Sequence, residues 1–93
     1  MIDPKSLDIN SLPFVPLENR NNLPEEPCIY FAVDKYSNIQ YIGRSVNARS
    51  RWSSHHKLAQ LQLVEGARIA YLFVDAELLS SVEIALIQWF LRG

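Results

Sequence analysis

The sequence predicts one small α/β domain of the α+β kind, with its elements in the order β-β-α-β-α. Three observations predict it. All five prolines lie between Pro4 and Pro27, so the first 27 residues can form neither a long helix nor a central strand. Two runs of β-branched and aromatic residues come next, separated by a turn-like segment. Two stretches of helical periodicity come after them, on either side of a third strand-like run.

Residues 1–27 are read as a Pro-rich N-terminal arm and residues 28–93 as the domain. Leu12, Phe14, Val15, Leu17 and Leu23 give the arm an apolar side that can pack on the domain. "CIYFAV", from Cys28, and "IQYIG", from Ile39, are strands joined by "DKYSN" as a hairpin. "SVNARSRWSSHHKLAQLQL" reads as a single helix with Ala48, Trp52, Ala59 and Leu63 as its core stripe. Ser45 or Asn47 caps its start and Gly66 ends it. "ARIAYLFV" is a third strand. Because a helix precedes it, its pairing with the second strand is open to either sense. "AELLSSVEIALIQWFLR" is a strongly apolar second helix running to Arg92.

A chain of 93 residues suits one core. No apolar run approaches the roughly 18 residues of a membrane span, so no membrane partner is expected, and no basic-then-apolar leader is seen. The lone Cys28 excludes an intrachain disulfide and a Cys-rich zinc site, in keeping with a reducing cytoplasm. A net charge of −1 argues against strong non-specific binding of nucleic acid. The charges are unevenly placed, however. Between Lys35 and Val64 there is no acid, while Lys35, Arg44, Arg49, Arg51 and Lys57 are all basic. That middle segment can present a local phosphate-binding surface.

Three features stand out within it and beyond it. Asn47, Arg51 and His55 fall at i, i+4 and i+8, beside the core stripe, with Ser50, Ser53, Lys57 and Gln60 facing solvent. This sets Arg51 at the margin of the buried face. Taken singly, such an arginine is usually a snorkelling surface residue, such a histidine a packed one, and Asn47 a helix cap. Glu83 lies roughly 120° from the polar side of the last helix, between Ile87 and Phe90. A carboxylate there needs either a salt bridge, for which Arg51 is one partner, or a cation. Tyr30 and Tyr41 sit on adjoining strands, where tyrosines most often pack.

Taken together these residues resemble the GIY-YIG nuclease family. "Cys28-Ile29-Tyr30", ten intervening residues, and "Tyr41-Ile42-Gly43" match the two signatures that name it. Asn47, Arg51 and His55 come after them at the family's spacing, and Glu83 takes the place of its metal-binding glutamate. The likeness covers about residues 27–91. Cys28 stands where the family has its first glycine, and the Pro-containing turn and Asn that usually succeed the last helix have no counterpart before Gly93.

The resemblance implies a three-stranded antiparallel sheet flanked by helices and hydrolysis of a nucleic-acid strand, DNA being the expected substrate, with Mg²⁺ or Mn²⁺. It implies Glu83 as metal ligand and Tyr30, Tyr41, Arg51 and His55 as catalytic residues, with an imidazole titrating near 6.5 at His55. Arg44, Asn47, Arg49 and Lys57 are the expected nucleic-acid contacts. Two other readings stand beside this one. One is a weak or inactive relative that binds DNA. The other is an interaction module or dimer using the arm or the apolar Trp89–Phe90–Leu91 end.

Overall fold

The computed structural model describes residues 3–91. Its strands and helices are, in order, β1 (Phe14–Pro16), β2 (Cys28–Val33), β3 (Ile39–Ser45), α1 (Ala48–Ser53), α2 (Leu58–Leu61), β4 (Arg68–Phe73) and α3 (Leu79–Phe90). The strands form one sheet in the order β1-β4-β2-β3, antiparallel at every pairing. The open question of strand sense is thereby answered: β4 pairs antiparallel with β2, not with β3.

β2 lies at the centre with all six of its residues buried. Cys28, Tyr30 and Ala32 face a core shared with Ala48, Trp52, Leu61 and Ile69, whereas Ile29, Phe31 and Val33 face one shared with Leu79, Val82 and Leu86. A strand covered on both faces has no solvent side to alternate with, which is why "CIYFAV" is uninterrupted in its apolar character. The turn after it is held by Asp34, whose Oδ1 accepts from the backbone N–H of Tyr36 and Asn38 at 2.8 and 2.9 Å. Ser37 takes the positive φ of 68° that the reversal requires.

The arm adds a fourth strand to the three expected. β1 docks on β4 with Phe14 opposite Ala70. Prolines are compatible with this because an edge strand has N–H groups that need no partner. Leu17 and Leu23 are buried in the Trp52 core, while Leu7, Ile9 and Leu12 pack on the α3 side. The arm therefore wraps both faces of the sheet.

The single helix expected from Ser45 to Leu63 is two short helices. α1 ends at Ser53, and Ser54 leaves helical geometry at φ −147°, ψ 39°. The cause is local: His55 turns inward and its Nδ1 accepts the backbone N–H of Lys57 at 3.0 Å, a bond that competes with helix continuation. The break shifts the helical phase of the residues beyond it. Ala59 and Leu63 are exposed, Leu63 by 88%, and Leu61 is buried in their stead. Gly66 lies beyond α2, at φ 68°, in the turn that leads to β4. The last helix opens with a 3₁₀ turn at Ala76–Leu78. Its expected end at Arg92 lies outside the described residues. No helix among the described residues is long and apolar enough to cross a membrane.

Candidate active site

β3 is an edge strand of the sheet, and several of the candidate residues lie on or beside it. Tyr30 of β2 stands opposite Gly43 of β3. A Cβ added to Gly43 would fall 2.5 Å from both Cζ and Oη of Tyr30. The missing side chain thus leaves the space through which the Tyr30 phenol reaches over the edge strand. Tyr41 lies diagonally across, opposite Ala32, and stacks on Tyr30 with ring centroids 6.1 Å apart. The edge of Trp52 closes the other side at 5.3 Å.

His55 meets Tyr30 at 3.0 Å between Nε2 and Oη. Its Nδ1 already accepts from Lys57, so the ring proton resides on Nε2 and is donated to the Tyr30 oxygen. The imidazole is only 5% exposed and stacks on Trp52 at 4.0 Å. Burial, reinforced by the charges of His56, Arg51 and Lys57, lowers its pKa to about 4. The expectation of an imidazole titrating near neutrality is therefore corrected: His55 is neutral there, with both nitrogens engaged. Burial pushes the Tyr30 phenol up to about 12, although Arg51 beside it acts in the opposite sense. Tyr30 is a protonated phenol at neutral pH. Its oxygen accepts from His55, and its own proton remains to be donated.

Arg51 is on the last turn of α1 and is exposed, not set at the margin of the core. It lines a cleft of about 360 Å³ with Ser50, Ser54, His55 and His56. The exposed imidazole of His56 stacks on His55 at 4.5 Å, a doublet whose division into one buried and one open ring sequence spacing did not foretell. Asn47 caps α1, its side chain accepting from the Ser50 N–H at 3.0 Å. Arg49 is turned to the arm: its Nε donates to the Leu23 carbonyl at 3.1 Å, and it pairs with Glu25 at 3.0 Å. Lys57 stands over the Tyr41 ring at 5.9 Å. Of the four residues expected to contact nucleic acid, the structure thus sets Lys57 beside the tyrosines and commits Asn47 and Arg49 to local structure.

The fourth, Arg44, is on β3 and pairs with Glu83 of α3, so the bridge weighed for Arg51 is made by Arg44. α3 packs on the opposite face of the sheet from α1. Glu83 is near enough for its charge to add to the rise of the Tyr30 pKa, behind burial and Tyr41. Its side chain is 15% exposed.

Among the described residues no three His, Cys, Asp or Glu side chains gather into a multidentate cage. Glu83 nevertheless suits a hard cation. Its Oε2 makes no hydrogen bond among the described residues, and one carboxylate completed by water is a common donor set for Mg²⁺.

No protein-family model matches the chain, and no curated protein matches it. Solved structures do. The chain is similar to the N-terminal GIY-YIG endonuclease domain of UvrC from Thermotoga maritima, in three point-mutant forms bound to that protein's catalytic divalent cation. In all three the TM-score is 0.65. Identities are 19%, 18% and 20%, over 78%, 78% and 80% of this chain and 86%, 86% and 88% of the other. The α+β architecture and antiparallel sheet described above agree with that match, and this chain has the fold of a GIY-YIG endonuclease domain.

Proposed function

We propose that this chain is a divalent-metal-dependent endonuclease that hydrolyses phosphodiester bonds of nucleic acid, DNA in the first instance. What supports the proposal is the Tyr30–Tyr41 stack beside the edge strand β3, with His55 on the Tyr30 hydroxyl and Glu83 paired to Arg44 of that same strand. Glu83 would hold Mg²⁺ or Mn²⁺, which supplies charge neutralisation at the phosphoryl and leaving oxygens. Arg51, exposed in its cleft, offers a planar fork to non-bridging phosphate oxygens. Tyr30, protonated at neutral pH, orients a water or a phosphate oxygen by donating its hydroxyl proton. Tyr41 holds that phenol by stacking. His55 serves by positioning, since its only free proton is spent on Tyr30. Lys57 and Arg44 are the basic groups best placed for flanking phosphates.

The deciding experiment is nicking of supercoiled plasmid with Mg²⁺ or Mn²⁺, beside EDTA and a Glu83→Ala protein. Nicking that vanishes in both controls is the expected result. A folded chain inert toward plasmid, branched duplex and single strands would overturn the proposal. The pairing of Glu83 with Arg44 favours one other reading, a relative that binds DNA without cutting it. Salt-sensitive DNA binding in EDTA with no metal-dependent nicking would mark that case.

A further inference from the structure

Arg44 and Glu83 raise a question that cleavage alone does not answer. A carboxylate on the apolar flank of α3, only 15% exposed, is costly without a counter-charge. Arg44 supplies that charge from the edge strand, with its own side chain 48% exposed. Glu83 is its side-chain hydrogen-bond partner among the described residues. A divalent cation on Glu83 would neutralise the same carboxylate and stand against the guanidinium as a like charge. The two occupants therefore compete for the charge of one carboxylate, and each weakens the other's hold.

We infer that Arg44 is the resident counter-ion of the cation site: it holds Glu83 in the metal-free chain, is displaced when a divalent cation binds, and then becomes available to a backbone phosphate. This rests on the reading of Glu83 as the cation's ligand. The geometry gives the displaced guanidinium somewhere to go, because Arg44 is exposed on the unpaired edge of β3. The arrangement keeps Glu83 from standing as an unpaired, largely buried charge before metal arrives. It also makes metal loading and phosphate contact draw on one side chain.

The test is Mn²⁺ binding, monitored by electron paramagnetic resonance on wild type, Arg44→Met, Arg44→Lys and Glu83→Gln, with thermal unfolding in EDTA and in Mn²⁺. Arg44→Met should bind Mn²⁺ at least five-fold more tightly than wild type, and Arg44→Lys should fall between. In EDTA the Met variant should unfold at a lower temperature than wild type and gain more from added Mn²⁺. Glu83→Gln should lose the binding. Unchanged or weaker affinity in a folded Arg44→Met protein, when the wild-type protein itself nicks plasmid with metal, overturns this inference alone. Absence of Mn²⁺ binding in both wild type and Arg44→Met overturns it together with the metal reading. For the handover, the salt dependence of duplex binding in Ca²⁺ should be shallower by about one unit for Arg44→Met, and nearly equal to wild type in EDTA. Equal slopes in both conditions overturn the handover.

Discussion

At Gly43 a missing Cβ has two consequences, one for packing and one for chemistry. The Tyr30 phenol occupies the space, and its buried hydroxyl is thereby held over the edge strand against His55. Gly43→Ala should therefore destabilise the fold by about 1–3 kcal/mol through overpacking, read as a lower midpoint in chemical denaturation. His55 gives a prediction in pH. Its folded pKa of about 4 lies below the ordinary 6.5, so the unfolded chain takes up a proton first as pH falls. The stability it contributes is complete above about 6.5 and is lost progressively between there and about 4. Stability from urea melts across that window should fall by on the order of 2 kcal/mol in wild type and by clearly less in His55→Phe. An equal fall in both proteins would place the sensitivity elsewhere.

Arg51 belongs to a six-residue helix instead of sitting midway along a long one. A short α1 places it in solvent at the mouth of the cleft, where a ligand and not a core residue is its natural partner. If its fork grips a phosphate, Arg51→Lys should cut nicking at least ten-fold while circular dichroism and the unfolding midpoint stay within error, because a lysine offers a point charge in place of two parallel donors. Full turnover in a folded Lys variant would remove Arg51 from that role. The same break explains why the periodicity of Ala59 and Leu63 misled. Once Ser54 leaves the helix, residues on either side no longer share a face.

For the whole molecule, the Pro-rich arm matters more than its composition indicated. Leu23 is fully buried beside Trp52, and Arg20 donates to the Trp52 carbonyl at 3.1 Å, so the arm braces the helix that carries Arg51. Leu23→Ala should cost about 2–4 kcal/mol, whereas Leu63→Ala, at a position expected to be core, should change stability by less than about 0.5 kcal/mol. Denaturant melts of the two variants side by side provide the check. The reverse ranking would mean that the arm is only loosely attached.

Sequence alone determined the two strands of the hairpin, the third strand and the last helix, since each is a run whose composition and periodicity report on its nearest neighbours. The spacing of Tyr30, Tyr41, Arg51 and Glu83 was legible only through its resemblance to the GIY-YIG family, and that resemblance implied the fold the structure has. Tertiary structure alone decided the matters of long-range contact. These are the fourth strand, the antiparallel partner of β4, the inward turn of one histidine from a His-His pair, and the choice of Arg44 over Arg51 as the companion of Glu83. Each depends on which chain segments become neighbours across the sheet. Local propensity carries no information about that, because the free energies involved arise from burial and charge pairing between residues far apart in sequence.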